Sequence, residues 1–326
     1  MIARVLREAR RLQARPVTAT AVSVIVILAG LVSFYLSNAT VQYRVALYEY
    51  EFYAHPTSET QLCQFLGLPM GPRCDRAVEE ELGWAEQFLR EVSELYPLGH
   101  VGLDPIGVGG MVAGLMASLV GAIAVPAVAA AHVAGEWTHR TIRIVLAKDP
   151  RRTRFVLVRF VTVWAAGIGL LLTAWAALAL AHPLLRLAYE APPPAGIDPG
   201  AYAVEQSLRA VVALGFFAAV STALAVVIRN PLGTLGAMLT FIFLALIASA
   251  WRTTFRASPA TWIAAWMGFL PGRLWGDHVW VDRFPLVDPD PALRPNPTVA
   301  LVALVVTGGL ALALAVLHMR RTDVGG

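Results

Sequence analysis

Charge is scarce in this chain. Asp, Glu, Lys and Arg make up 15% of its 326 residues, against about 25% in soluble domains. Lysine is nearly missing: Lys148 stands alone against twenty-five arginines, in VLAKDP with no glycine-rich turn before it. A phosphate-cradling loop with its lysine is thereby excluded. Cysteine is limited to Cys63 and Cys74, too few for a disulfide-dense secreted scaffold. Without a clustered partner histidine they make a poor metal site. The H-E-x-x-H signature does not occur; His132 and Glu136 form only H-x-x-x-E, which excludes the common zinc-protease helix. What fills the space is apolar: 57% hydrophobic residues and a mean hydropathy of +0.61. That is the composition of a polytopic membrane protein.

A span needs roughly 20 mostly apolar residues, because the hydrocarbon core is about 30 Å thick and a helix rises about 1.5 Å per residue. Six stretches qualify: 17–37, 106–131, 155–182, 208–228, 232–251 and 298–319. Backbone groups in lipid must be satisfied within their own segment, so these are helices rather than strands. The first run follows Arg4, Arg7, Arg10, Arg11 and Arg15, yet its apolar core is too long for a signal peptide and no A-x-A-like site follows it. It reads as a retained span. Small residues Gly110, Gly114 and Ser118 recur every four positions in the second run, the spacing of a close helix-packing face, and Pro126 is placed to kink the same helix.

Six spans put both termini on one side. The side holding residues 1–16, the 132–154 loop, the Arg229 turn and the 320–326 tail has fifteen basic and four acidic residues, counting Arg159; the other has eleven basic and eighteen acidic. The balance is about +11 against −7, together the net +4 of the chain. The positive-inside rule makes the basic side the cytoplasm. On it, Ile2, Val5, Leu6, Ala9 and Leu12 share one helical stripe with arginines elsewhere, the pattern of an interfacial helix over 1–16 or, alternatively, of a solvated basic tail.

Two insertions build the outer side. Residues 38–105 contain an acidic amphipathic pattern in which Val78, Leu82, Ala85, Phe88, Leu89, Val92 and Leu95 recur at steps of three and four, expected to end at Pro97 and Gly99. Ahead of it, Cys63 and Cys74 fall together in an outward region, where a disulfide is the favoured use and two unpaired thiols the alternative. The loop 183–207 lies on the same outer side. The segment 252–297 carries Trp262, Trp266, Phe269, Leu270, Leu274, Trp275 and Trp280, suited to short helices dipping into the outer interface; an ordinary packed loop is the alternative.

Chemistry is hard to find. None of the six runs holds Asp, Glu or Lys in its interior, where an ion-coupled carrier would keep a buried charge. Span serines such as Ser118 and Ser221 could pair with His132 or His182, but lone serines in such helices are mostly packing residues. A membrane-embedded serine hydrolase and a non-transporting scaffold or sensor with an outward binding domain remain as competing readings.

The informative piece is AAHVAGEWTHRTIRIVLAKDPRRTRFVLVRF. A helix over THRTIRIVLAK gathers Ile142, Val145 and Leu146 on one side, with Arg140, Arg143 and Lys148 on others, and Pro150 stops it. In this loop the chain resembles the permease subunit of ABC-2 type ATP-binding-cassette exporters. Glu136 matches the acid at the end of the second helix, Thr141 the threonine, Leu146 the leucine, Pro150 the proline, and Arg151, Arg152 and Arg154 the basic cluster. Arg159 matches the last basic position, while the expected glycine is replaced by Arg140. The order of spans and insertions is similar too.

The resemblance implies an all-α polytopic membrane protein: an N-terminal interfacial helix, six transmembrane helices, a cytoplasmic coupling helix between the second and third, re-entrant helices before the sixth, and a small α-rich extracytoplasmic domain. It implies a non-enzymatic transport subunit of a bacterial cytoplasmic membrane. Its coupling loop, through Glu136, Thr141, Leu146, Arg151, Arg152 and Arg154, would contact a separate ATPase subunit. That partner would hold the ATP and Mg. A second permease chain, identical or homologous, would complete the pathway for an amphipathic, lipid-like, drug or peptide substrate, with membrane lipid around it and no nucleic acid.

Overall fold

The computed structural model describes residues 41, 43–55, 59–102, 104–139, 141–148, 151–188, 198–251, 253–268 and 295–321. The expected interfacial helix 1–16, the first span 17–37, and Phe269, Leu270, Leu274, Trp275 and Trp280 lie outside them. Every regular element among the described residues is helical. Five helical stretches are long and apolar enough to cross a membrane: Val120–Thr138, Arg152–Leu180, Pro199–Ile228, Pro231–Ser249 and Pro297–Arg321. The molecule is thus a helical, multi-pass membrane protein by length and composition.

The chain divides into two compact units. One contains the chain up to Met111 from Ile27, together with Ala176–Ala203. Here helix α1 covers 43–54, α2 covers Glu59–Phe65 and α3 covers Pro72–Gly102. Phe52 of α1 meets Phe65 of α2 edge to face at 5.4 Å. Cys63 and Cys74 are joined in a disulfide, with Cα atoms 5.7 Å apart and both side chains buried. The amphipathic helix expected to stop at Pro97 and Gly99 instead runs on to Gly102. A proline deletes one hydrogen bond of the ladder but does not by itself end a helix that is held on both sides of it.

The second unit holds Val112–Trp175 and the chain from Val204 onward. The run expected as one helix over 106–131 is two. Helix α4, Val108–Ala117, stops where Ser118 turns to an extended conformation (φ −94°, ψ −157°), and α5 starts at Leu119. Ser118 therefore does not continue the Gly110/Gly114 face. The break is tight: a Cβ on Gly121 would lie 1.8 Å from the Met116 carbonyl oxygen. Helix α5, Leu119–Ala129, contains Pro126 and passes into a wider π turn over Ala130–Ala134 and a last α turn, Gly135–Thr138. Inserted residues of this kind re-aim a helix face.

Helix α6, Ile142–Lys148, follows, and then the long apolar α7, Arg152–Ala188, α8, Pro199–Ile228, and α9, Pro231–Ala250. Asn230 caps α9, its Oδ1 accepting from the Gly233 amide at 3.1 Å, and Pro231 supplies a preset first turn. Helix α10, Pro259–Met267, is capped by Ser258 and closed by Gly268 at φ 73°. The last helix, α11, is Pro297–Arg321.

Close approach by small residues, rather than apolar bulk, joins helices in lipid. The Trp164 indole donates to the Val211 carbonyl at 2.9 Å and lies over Gly215 of α8. Gly308 of α11 meets Ala219 of α8, where an added Cβ would sit 3.4 Å away. The span windows of α5 and α8 are 67% buried, those of α9 and α11 only 11% and 22%. The uncovered faces of α9 and α11 carry Leu232, Phe243, Leu310 and Leu314, side chains that suit a hydrocarbon surrounding.

Candidate functional site

The polar residues of the second unit converge at the ends of α5, α7, α8 and α11. The π turn places His132 and Glu136, four positions apart, toward α7. Arg159 of α7 reaches both: one guanidinium nitrogen pairs with Glu136 Oε1 and the other lies 3.0 Å from His132 Nε2. A guanidinium only donates, so in this contact Nε2 is the accepting atom. The Arg159 side chain is 5% exposed and that of Glu136 16%. The Phe155 ring lies 5.4 Å from the Arg159 guanidinium carbon, one turn away on the same helix. A buried ion pair of this kind is costly to break, because removing one partner strands the other charge in a low dielectric.

Beside Glu136, Trp137 stacks with a second cation. The Arg229 guanidinium lies 4.3 Å from the centroid of its ring, within cation–π range. Arg229 takes φ 60°, the left-handed region, between the end of α8 and the Asn230 cap of α9. Only a local turn that is held by its surroundings keeps a long side chain there. Among the described residues, the buried Trp137 Nε1 and Arg229 Nε atoms have no hydrogen-bond partner, so the contact between the two side chains is one of ring and charge.

The loop residues expected to meet a partner subunit separate into two groups. Glu136 is engaged inside the chain, and the Thr141 hydroxyl donates to its carbonyl oxygen at 3.2 Å. Arg152 donates to the Met319 and Arg320 carbonyls at 3.0 and 3.1 Å, neutralising the unsatisfied, partly negative end of α11. Arg320 in turn donates to the Thr153 hydroxyl at 3.0 Å. Glu136 and Arg152 thus brace the fold. Thr141, Ile144, Ala147, Arg151 and Arg154 are exposed, Leu146 is half-buried and Ile142 is buried. Ile142 is thus the anchor of α6, and Ile144, 60% exposed, is a large apolar residue offered to the surroundings.

Reading the sequence as spans missed the ionisable core of this region. The helix bearing His132 and Glu136 continues to Thr138, past its expected end at residue 131, and brings both inside a span-length helix. The signal was present: a histidine and a glutamate four apart, opposite an arginine at the start of the next apolar run. Trp137 and Arg229 had no comparable signal. Among the other candidates, Gly110 is a true contact point, since an added Cβ would meet the Tyr202 ring at 2.5 Å, and Gly114 is buried. Ser118 and Ser221 donate their hydroxyls to the Leu115 and Phe217 carbonyls, each at 2.6 Å. Among the described residues, no group of three or more His, Cys, Asp or Glu is placed to hold a metal ion.

Comparison with family models, curated proteins and solved structures finds no match to this chain.

Proposed function

We propose that the chain is the permease subunit of an ABC-2 type exporter, worked by a separate ATPase that grips helix α6. The observation that carries this reading is the mounting of α6. It is a short helix that lies in sequence between two apolar stretches, Val120–Thr138 and α7, which are cross-braced by the Glu136–Arg159 pair. A push on α6 is then delivered to two membrane helices together, because the brace makes them move as one body. Arg152, tied to the end of α11, passes the same motion to the last helix.

The chain supplies no phosphate-binding loop of its own, so nucleotide energy would come from the partner, with its ATP and Mg. The basic ends of the helices would face the cytoplasm, and Ile144, Arg151 and Arg154 would form the docking face. A second permease chain or lipid would cover the apolar faces of α9 and α11. The serine-hydrolase alternative finds little support, since both span serines bond to their own helices as packing serines do.

The test is purification of the intact complex from native membranes, with identification of associated subunits. An ATPase should copurify with the parent chain and be lost when Ile144→Glu is combined with Arg151→Glu and Arg154→Glu. These positions are exposed, so the variant should keep its melting behaviour. Retention of the same ATPase by the variant, or vectorial transport by the purified chain alone without ATP, would refute the proposal.

A further inference from the structure

The unit that contains α1 and α3 carries a groove that nothing so far has used. It has a volume of about 300 Å³ and is lined by Glu49 and Tyr53 of α1 and by Glu81, Trp84, Ala85, Gln87 and Phe88 of α3. That volume is at the lower end of small-molecule sites. Three features set it apart from ordinary helix packing.

First, the aromatic lining is not consumed by the core. Trp84 is 71% exposed, although an indole of this size usually finds a packing partner. Tyr53 and Phe88 are half-buried and Ala85 is buried. Second, Glu49 and Glu81 face the groove from opposite helices and make no ion pair or hydrogen bond among the described residues. Glu86, five residues further along α3, does pair with Arg90 at 3.1 Å. Third, the two carboxylates act on the groove itself. Burial first, and then the charges of Glu81 and Glu49, hold the Tyr53 phenol above its ordinary range.

Two unneutralised carboxylates beside three rings form a site for one chemical class. A metal ion would want more oxygen ligands than two carboxylates and an amide provide. A neutral apolar molecule would leave the carboxylates without a partner. An alkylated ammonium uses both, since its charge is attracted by carboxylates and ring faces while its methyl groups pack on the rings. We propose that this groove binds a small organic cation of the quaternary or alkylated ammonium type, with Trp84 and Tyr53 as the ring walls and Glu49 and Glu81 as the counter-charges. The inference stands on this unit alone and does not depend on the transport reading.

Calorimetric titration of the full-length purified chain with choline and with its neutral carbon isostere, 3,3-dimethyl-1-butanol, tests it. Choline is expected to bind one per chain, and the isostere at least about tenfold more weakly, because charge and ring face act together. Glu49→Gln combined with Glu81→Gln, and separately Trp84→Ala, should each weaken choline binding by about tenfold or more. These three side chains are exposed, so folding should be kept, and an intact Cys63–Cys74 disulfide with an unchanged melting temperature checks it. Trp84→Phe should retain part of the affinity. Absence of saturable choline binding, equal binding of choline and its isostere, or unchanged affinity in both folded variants would overturn the proposal.

Discussion

Glutamate is used in opposite ways in the two units. Glu136 is drawn into a packed helix end, where Arg159 neutralises it and the side chain is 16% exposed. Glu49 and Glu81 stay at the surface of a groove, with no ion pair among the described residues. In the first setting the charge is a structural tie, strong only because both partners are present. In the second it is an open valence, tolerable because water still reaches it. The comparison teaches that burial together with pairing, rather than residue type, decides whether an acid holds the fold or offers a site.

Removing one member of the buried pair should have the largest effect. Arg159→Met leaves Glu136 without its cation and is expected to cost about 3–5 kcal/mol, read as a lowered melting temperature of the purified chain. Adding Glu136→Leu should restore much of the loss, since an apolar pair of similar volume avoids desolvation. A single variant as stable as the parent would show that the two settings do not differ as argued.

In the groove-bearing unit the main tie is covalent. Cys63→Ser with Cys74→Ser opens a loop with a sequence separation of 11 and should cost about 3 kcal/mol through loop entropy. Protease should then cut between residues 65 and 72 before it cuts the apolar helices. If cutting starts in α7 or α8, the tie is not local.

Glycines separate packed from open surface on a smaller scale. Gly110→Ala forces a methyl into the Tyr202 ring and should destabilise by about 1–3 kcal/mol. Gly83→Ala on α3 meets nothing within 4 Å and should stabilise by about 1 kcal/mol, the difference in helix propensity. Thermal melts of the two variants should move in opposite directions.

The smallest effect concerns Tyr53. Its phenol is held above 10.0 by burial first, then by Glu81 and Glu49. Because the folded chain holds this proton more tightly than the unfolded one, the linked stability is fully present below about pH 10 and is lost as pH rises through the folded value. Phenolate absorbance should therefore appear earlier in the Glu49→Gln, Glu81→Gln variant than in the parent. An unchanged alkaline titration would mean that the carboxylates do not act on the groove.

Much of the helical plan is legible from residue order. Apolar runs of bilayer length mark α7, α8, α9 and α11, although α8 begins at Pro199 rather than near residue 208. The three-and-four spacing from Val78 marks α3, and two cysteines in one stretch, eleven positions apart, mark their bond. The break at Ser118 was not legible, because VGGMVAGLMASLVGAIAV is uniformly apolar and small, and periodicity carries no signal in such a stretch. Of the loop residues matched by resemblance, Glu136 and Arg152 turn inward to brace the chain. Their spacing alone could not distinguish a brace from a docking contact.

Composition and local order suffice to dictate helices in a membrane, since every backbone polar group in lipid must bond within its own segment. They also suffice to sort basic from acidic connecting segments. Partners are a different matter. That Arg159 meets His132 and Glu136, that Arg229 lies over Trp137, and that Glu49 and Glu81 share a groove are contacts between residues 23 to 92 positions apart or set on separate helices. Such contacts exist only after the helices pack, because the angle and register of packing, not the sequence spacing, decide which polar atoms come within hydrogen-bond or Coulomb range.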